Sequence, residues 1–394
     1  MVLVLVASMC VSAAVPPQAT ALGTAAGLSS VVSGGGGFMF VGGQNGTWFE
    51  GGQSPRLYRI YLQNSSSVQL TPVSSVRGTV WCVGSNGLQL LVSGWGSDDA
   101  SQGPYVWLYD GARVVTEGSL DEYGQASSWG GGDVFSASYN GKEWLLSGLG
   151  QGVLTSYHPG RNQDNNHMAM ATFDGYKFTD LSNIVPYQQD AILYANEWNG
   201  QYWLVGGGHK PNGWGINGVL FTFDGSALVD LTKRAESAIS NFSSVQSIGW
   251  NGQYWLIGGV GFLAEYDGVN FVDLTQQLDE ALSNPIQSVN AIAWNGQTWL
   301  IGGGEPVGQI APSHAWVTAY TSAGFVDLSP TLPSYASNVT QASSVLTIAS
   351  LDGFWMIGGY SADQGILFAY NDGVVTDYSN LVSGMTYVNS ISTL

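Results

Sequence analysis

Histidine is the side chain in this sequence best suited to metal binding or acid–base chemistry, and the 394 residues contain four of them. His158, His167, His209 and His314 all fall in irregular segments rich in Gly, Pro, Asn and Gln. Neutral imidazoles are common ligands of divalent metals, so His158, His209 and His314, from three different repeats, could converge on one ion. No close pair such as His-x-x-x-His enforces that arrangement. We therefore expect no cofactor and polar surface or loop-packing roles for the histidines, with a divalent metal site as the alternative.

The same irregular segments hold other side chains that suit ligand binding, since loops on a rigid scaffold commonly carry function. Besides the four histidines, the binding candidates are Arg161, Lys210, Trp214 and Glu305. Aromatic rings set among Gly, Asn, Gln and Ser suit stacking on sugar rings, and we expect this of Trp48, Trp95, Trp129 and Trp214. These segments predict a binding surface for carbohydrate or protein.

No nucleophilic active site can be assembled from the sequence. There is no G-x-S-x-G motif and no Cys–His arrangement, and the GGGG run at 34–37 lacks the Lys and the following helix of a phosphate loop. Carboxylates are plentiful, so a glycosidase pair stays open. We assign no catalytic residue, and a secreted enzyme acting on glycans or using a metal remains the alternative to a binding module.

The composition limits the partners. Ten Lys and Arg residues against 28 Asp and Glu give a formal charge of −18, which would repel phosphate backbones. Only 10% of the residues are charged, so a surface of Ser, Thr, Asn and Gln would change little as the pH falls. We expect no nucleic-acid partner, and an acidic extracellular environment fits the sequence.

The first 15 residues, MVLVLVASMCVSAAV, are typical of a signal peptide: an apolar run followed by small residues. The run is shorter than the ~20 residues of a membrane-spanning helix, so we expect no transmembrane span in the mature chain. A short linker would follow at 16–29. If the host glycosylates exported proteins, the Asn-x-Ser/Thr acceptors are Asn45, Asn64, Asn241 and Asn338.

One phrase recurs along the chain and predicts the fold. Its clearest copies are NEWNGQYWLVGG at 196–207, SIGWNGQYWLIGG at 247–259 and AIAWNGQTWLIGG at 291–303. Aligned copies end in glycines at 43, 94, 148, 207, 259, 303 and 359, a spacing of 44 to 59 residues. Asn-Gly between two apolar runs indicates a hairpin, for which we expect a type I′ turn.

A second phrase, such as FTFDGSALVDLT at 221–232, follows each first one and indicates another hairpin, with Asp-Gly at the turn in five of the seven copies. In the first copy, RIYLQNSSSVQLT at 59–71 takes its place. Two hairpins give four strands, or one blade of a propeller. The chain ends in YVNSISTL (387–394), which matches an inner strand without its hairpin partner. We therefore predict an all-β, seven-bladed β-propeller of four-stranded antiparallel blades over 30–394, its ring closed by the C-terminal strand.

The Asp of the DLT, DLS and DYS triplets recurs in copy after copy, at Asp180, Asp230, Asp273, Asp327 and Asp377. Such regular recurrence favours a structural hydrogen bond at a strand end over chemistry. The hairpin turns themselves are short, so we expect the irregular loops, on the opposite face of the propeller, to carry the binding surface.

An apolar strand that ends in a glycine pair, followed by one that ends in Tyr-Asp or Phe-Asp, resembles the kelch repeat of galactose-oxidase-type propellers. Here the tryptophan of the fourth strand is replaced by Phe178, Leu228, Phe271 and Phe325. Asp352-Gly353 with Trp355 is also similar to the Asp-box of sialidase-type propellers. The resemblance implies a propeller and no activity. The expected function is that of a secreted or cell-surface binding module, or a structural component of the cell envelope.

Overall fold

A computed structural model describes residues 38–45, 54–70, 77–97, 102–119, 129, 132–151, 166–186, 190–209, 217–283, 285–304, 314–334, 336, 343–351, 353–362 and 364–393. The predicted signal peptide and linker, 1–29, lie outside these ranges. Within them, no helix is both long and apolar enough to cross a bilayer.

The first three copies of the repeat form short antiparallel strands. Copy 1 supplies β1 (Phe38–Asn45), β2 (Ser54–Tyr61) and β3 (Ser66–Gln69). Copy 2 supplies β4 (Arg77–Ser85), β5 (Leu90–Ser97), β6 (Gln102–Tyr109) and β7 (Val114–Ser119). Copy 3 supplies β8 (Asp133–Tyr139), β9 (Trp144–Gln151), β10 (Asn166–Phe173) and β11 (Phe178–Asp180).

The later copies repeat the pattern. Copy 4 supplies β12 (Ala191–Trp198), β13 (Trp203–His209), β14 (Asn217–Phe223) and β15 (Leu228–Asp230). Copy 5 supplies β16 (Val245–Trp250), β17 (Trp255–Gly259), β18 (Phe262–Tyr266) and β19 (Phe271–Asp273). Copy 6 supplies β20 (Ser288–Trp294), β21 (Trp299–Gly304), β22 (Trp316–Thr321) and β23 (Gly324–Asp327). Copy 7 supplies β24 (Ser343–Leu351), β25 (Phe354–Ser361), β26 (Gln364–Asn371) and β27 (Val374–Asp377), and β28 (Tyr387–Ser392) follows.

These strands form five four-stranded antiparallel sheets and one eight-stranded sheet. The eight-stranded sheet is copies 6 and 7 joined by a single bridge between Gly304 and Ser344. The C-terminal β28 pairs with β1, so the sheet of copy 1 has the order β28-β1-β2-β3. The sequence-based expectation of a mostly β chain built from four-stranded antiparallel units is confirmed.

We call β4, β8, β12, β16, β20, β24 and β28 the inner strands. Each contacts the inner strand of the copy before it and of the copy after it, and β28 contacts both β24 and β4.

Two short helices, not expected from the sequence, connect outer strands to the next inner strand. They are α1 (Thr232–Ala238) and α2 (Thr275–Leu282). Ala, Leu, Glu, Gln and Arg dominate both segments and have high helix propensity. Ala235 of α1 and Leu278 of α2 are fully buried against the sheets.

The closing glycine of every first phrase lies opposite a β-bulge in the inner strand. In copy 4, Leu193 pairs with Gly207 and Ala195 pairs with Gly206, which leaves Tyr194 as the extra residue. A Cβ on Gly207 would lie 2.0 Å from the carbonyl oxygen of Ile192. The six other anchor glycines face an inner-strand carbonyl oxygen at 1.9 to 2.2 Å in the same way. The anchors are therefore required by the bulge, where no side chain fits.

The first glycine of each pair is required instead by packing against the neighbouring copy. A Cβ on Gly206 would lie 2.4 Å from Cγ1 of Val245, in the inner strand of copy 5. Gly358 of copy 7 faces Val388 of β28 at 2.5 Å in the same manner. Because both positions lack a Cβ, successive sheets can pack closely at their inner ends.

The turns differ from the expected type. Gly200, Gly252 and Gly296 have φ between 93° and 97°, but the preceding asparagines do not have positive φ. Asn199 Oδ1 instead accepts hydrogen bonds from the amides of Gln201 and Tyr202, both at 2.9 Å. The hairpins lie where they were predicted, and the type I′ assignment is wrong because the asparagine side chain caps a four-residue loop.

The strand-end role of the recurrent aspartates is confirmed. Asp230 Oδ1 accepts from the amide of Thr232 at 2.8 Å, and the Thr232 hydroxyl accepts from the amide of Leu220 at 3.1 Å. The same pair of bonds recurs at Asp180, Asp273, Asp327 and Asp377.

Candidate functional site

The inner strands begin at one edge of the sheets, and we call this the loop edge. It contains Gln44, Thr79, Asp133, Ser288 and Ser344, at the starts of inner strands or beside them. The opposite edge, which we call the turn edge, carries the Asn-Gly and Asp-Gly turns. Of the residues proposed to bind ligand or metal, those that the structure describes lie toward the loop edge.

Seven of the candidate binding, metal and glycosylation residues lie outside the described ranges. They are Trp48, His158, Arg161, Lys210, Trp214, Glu305 and Asn338.

Two residues expected at the surface are buried. His167 is the second residue of β10 and its side chain has no exposed area. Trp129, expected to stack on sugars, is likewise fully buried, in the hydrophobic cluster between copies 2 and 3. The sequence-based expectation of a solvent-facing loop position is wrong for both, because the strands and their packing extend further toward the loop edge than the repeat pattern indicates.

His209 and His314 occupy comparable positions in copies 4 and 6. His209 ends β13, and His314 lies two residues before β22. Both are partly exposed. Burial lowers the pKa of His209, while Glu236 of α1 acts in the opposite direction. Within the described residues, no three His, Cys, Asp or Glu side chains come close enough together to hold a metal ion.

The bulge residues of copies 2, 3 and 4 fill the space between their inner strands. The ring centroids of Trp81 and Phe135 are 5.4 Å apart, and those of Phe135 and Tyr194 are 5.6 Å apart. Leu346, the bulge residue of copy 7, belongs to the same buried cluster. Large side chains from four copies therefore pack together between the inner strands.

The bulge residues of copies 5, 6 and 1 are polar instead, and all are buried: Gln246, Asn290 and Asn389. Asn290 Nδ2 donates to the hydroxyl of Ser344 at 2.8 Å, and Asn389 Nδ2 donates to the carbonyl of Val80 at 3.1 Å. These bonds join the inner strands of neighbouring copies. The bulge residues between the inner strands are thus large apolar groups in copies 2, 3, 4 and 7 and amides in copies 5, 6 and 1, and all of them are buried.

A buried carboxyl group lies at the loop edge, beside these packed bulge residues. Asp133 begins β8 and is 8% exposed. Its Oδ1 accepts a hydrogen bond of 2.9 Å from the indole Nε1 of Trp81. Burial raises the pKa of Asp133 to about 7, against a smaller opposing effect of the Trp81 bond. Asp133 can therefore exchange a proton near neutral pH, and acts as a hydrogen-bond donor when protonated.

Polar groups from copies 1 and 2 extend this site. The Tyr105 hydroxyl donates to the Thr79 carbonyl at 2.9 Å, and the Thr79 hydroxyl donates to Gln44 Oε1 at 2.5 Å. Burial raises the pKa of Tyr105 well above its usual value, and the Asp133 charge adds to that shift. We define the Asp133 site as Gln44, Thr79, Trp81, Tyr105 and Asp133.

The sequence contains a signal for Asp133 that the repeat alignment makes visible. The residue before the first valine of the inner strand is Thr79, Ser244, Ser288 and Ser344 in copies 2, 5, 6 and 7. Copy 3 has an acid, Asp133, at this otherwise neutral polar position. Its burial could not be predicted, because it depends on Trp81 from the neighbouring copy.

The described glycosylation candidates are all exposed. Asn45 ends β1, Asn64 lies in the 3₁₀ turn after β2, and Asn241 follows α1.

No protein-family model matches the chain, and no curated protein sequence matches it. Solved structures do resemble it. Acylaminoacyl peptidase from Pyrococcus horikoshii superposes with a TM-score of 0.51 at 9% identity, over 88% of this chain and 52% of the peptidase. The β-propeller domain of the Trilobed protease from Pyrococcus furiosus gives a TM-score of 0.50 at 9% identity, over 87% of this chain and 94% of that domain. The chain spans about half the length of the peptidase. At this identity the likeness establishes the fold alone, a β-propeller.

Proposed function

We propose that the protein is a secreted or cell-surface binding module, built as a seven-bladed propeller of kelch-like repeats whose ring β28 closes. The unbroken series of contacts between inner strands supports the closure, as does the packing of Gly358 on Val388. The Ser390 hydroxyl of β28 also accepts a hydrogen bond of 2.9 Å from the amide of Val83. In this arrangement β28 is the inner strand of blade one and binds the blades on both sides.

The observation that carries the binding function is the Asp133 site. A buried carboxyl group with a raised pKa, at the loop edge of a rigid scaffold, is typical of a ligand site. In the proposed ring, the buried bulge residues fill the space between the inner strands behind this site. A ligand is therefore held at the loop edge and does not pass through the ring. Its five defining residues are buried, carry amide, hydroxyl and carboxyl groups, and include no cation. That chemistry suits the hydroxyl groups of a carbohydrate or the polar surface of a glycoprotein.

Two alternative functions are tested alongside the binding function. A secreted enzyme acting on glycans would use Asp133 as a general acid, for which a carboxyl group with a raised pKa is suited. A structural component of the cell envelope would assemble through the faces of the ring and need no soluble ligand.

An acidic environment is part of the proposal. An acid whose pKa is raised by folding destabilises the folded state as the pH rises above its unfolded pKa. Asp133 and Glu197 are both buried and both have raised pKa values. Each of these two groups therefore favours folding at acidic pH, where it is protonated.

The function is tested by screening the purified protein against arrays of cell-surface polysaccharides and glycoproteins between pH 4 and 8. We expect a ligand whose affinity changes through pH 7 in the wild type and loses that dependence in Asp133→Asn. Glu143→Gln, at the turn edge, is the matched control and should bind as the wild type does. Release of sugar products would favour the enzyme alternative. Absence of any ligand, or a pH dependence that Asp133→Asn leaves unchanged, would overturn the proposal.

A further inference from the structure

A cavity of about 470 Å³ lies at the turn edge between copies 6 and 7. Its polar rim includes Asn295, Gln297, Asn371 and Asp372, and Trp355 and Tyr370 provide aromatic surface. The expectation that the turns are too short to form a pocket is therefore wrong, because two neighbouring copies form this one together.

At the preceding interface, between copies 5 and 6, large side chains occupy the corresponding space. There the indole Nε1 of Trp299 donates to the hydroxyl of Tyr254 at 3.1 Å. The hydroxyl of Tyr320 donates to Glu265 Oε1 at 2.8 Å. Within copy 6, the ring of Trp294 packs on Trp299, with centroids 5.1 Å apart.

Strand register identifies the counterparts at the interface of copies 6 and 7. Trp355 pairs with Tyr370 as Trp299 pairs with Tyr320, so Trp355 and Tyr370 are the corresponding aromatic residues. Leu300 pairs with Ala319 as Leu256 pairs with Glu265, so alanine occupies the position of the glutamate.

Two further side chains are truncated at the same place. Thr298 precedes Trp299 as Tyr254 precedes Trp255, so threonine occupies the position of the tyrosine. Ser350 pairs with Trp355 as Trp294 pairs with Trp299, so serine occupies the position of the tryptophan. All three truncated residues, Thr298, Ala319 and Ser350, line the cavity.

The truncations leave two hydrogen-bond donors available to a ligand. Trp299 and Tyr320 donate to partners in copy 5, whereas the indole of Trp355 and the hydroxyl of Tyr370 have no such partner in the described part of the chain. The three smaller side chains leave the edge of the Trp355 indole and the phenol of Tyr370 uncovered. Aromatic surface surrounded by a few polar groups is typical of a binding pocket.

We infer that this cavity, which we call the Trp355 groove, binds a neutral saccharide unit. The C–H face of a sugar ring packs on the partly exposed ring of Tyr370. The Trp355 indole, 6% exposed, meets the sugar at its edge, and the sugar hydroxyl groups pair with the amides of Gln297 and Asn371. Among the described lining residues there is no Lys or Arg, and Asp372 is the one charged group, so the lining disfavours anions. The volume suits one or two sugar rings.

The groove lies at the turn edge and does not depend on the Asp133 site. A saccharide that binds at one site and not the other separates the two, since Asp133→Asn alters only the loop edge and a change in the groove alters only the turn edge.

The test refills the groove with the residues that the neighbouring copies already carry. Thr298→Tyr and Ala319→Glu reproduce Tyr254 and Glu265, so the variants are expected to fold. Gln253→Tyr adds a tyrosine to an exposed position of the same edge in copy 5 and serves as the control for bulk. Thermal unfolding of each variant confirms that the fold is intact.

Titration calorimetry and tryptophan fluorescence are carried out with neutral hexoses, N-acetylhexosamines and their short oligomers. We expect at least one saccharide to bind to the wild type and to Gln253→Tyr with equal affinity. Thr298→Tyr and the double variant with Ala319→Glu should lower that affinity at least tenfold. No binding of any saccharide at millimolar concentration would overturn the inference, as would an affinity that the folded, refilled variants retain.

Discussion

The indole Nε1–H of Trp81 donates a 2.9 Å hydrogen bond to Oδ1 of Asp133, from the bulge of one inner strand to the start of the next. The bond joins copies 2 and 3 at the loop edge and holds a carboxyl group that is 8% exposed. One indole donor does not replace the water that a carboxylate loses on burial, so the protonated form of Asp133 is favoured.

Asp133→Asn should stabilise the protein at neutral and alkaline pH. The pKa of Asp133 rises on folding from 3.8 to about 7, so the group lowers the free energy of unfolding progressively as the pH increases between these values. At pH 8 the gain from Asn should approach about 4 kcal/mol, at 1.36 kcal/mol per pKa unit. Urea denaturation of the wild type and the variant at pH 4 and pH 8 measures this difference in the free energy of unfolding. An equal effect of the substitution at both pH values would contradict the assigned burial.

Glu197→Gln tests a second buried carboxyl group, in β12 near the turn edge. Burial raises the pKa of Glu197 well above 4.5, and its Oε2 has no hydrogen-bond partner in the described part of the chain. Stability should therefore fall as the pH rises above about 4.5, and the glutamine variant should lack this decline. The same denaturation experiment applies, with Glu143→Gln as the control. A wild type and a variant with parallel pH profiles would show that Glu197 is solvated.

Gly207→Ala should destabilise the protein strongly. The added methyl group would lie 2.0 Å from the Ile192 carbonyl oxygen, in backbone that the bulge already fixes. Overpacking of this kind costs about 3 kcal/mol or more. In Gly365→Ala, the control, the nearest atom would be 3.1 Å away and the loss should be much smaller. Thermal unfolding compares the two, and equal losses would argue against the bulge as the reason for the anchor glycines.

Removal of β28 should prevent cooperative folding. Truncation before Tyr387 exposes the paired edge of β1 and removes Val388 and Ile391 from the core. The milder change Ile391→Ala should cost about 3 kcal/mol, as for other buried aliphatic residues. Size-exclusion chromatography and circular dichroism test the truncation against a control that lacks only Leu394. A monomeric, folded truncation product would contradict the proposed closure.

Local sequence patterns predicted the parts of the fold that depend on short-range physics. Asn-Gly and Asp-Gly placed the hairpins, since glycine adopts positive φ at Gly200 and its equivalents. The spacing of the anchor glycines predicted the boundaries between the copies. The recurrence of Asp230 and its equivalents predicted a hydrogen bond to the backbone at each strand end.

The sites could not be predicted in this way, because each combines residues from different copies. His167 was expected in a loop because strand ends are poorly marked where a strand is covered on both sides. Asp133 was overlooked because its pKa is raised by burial, and part of its surroundings is Trp81, 52 residues earlier in the chain. The Trp355 groove requires the absence of three large side chains, two from copy 6 and one from copy 7, at positions that only strand register brings into correspondence.

The sequence by itself determined the four-stranded antiparallel repeat, the positions of its turns and the strand-end aspartates, because each depends on contacts within a few residues or within one hairpin. Only the tertiary structure decided which side chains pack between the inner strands, which carboxyl groups lose their water and which interface stays open. Those properties depend on the distance between atoms of neighbouring sheets, and the packing of one copy against the next sets that distance.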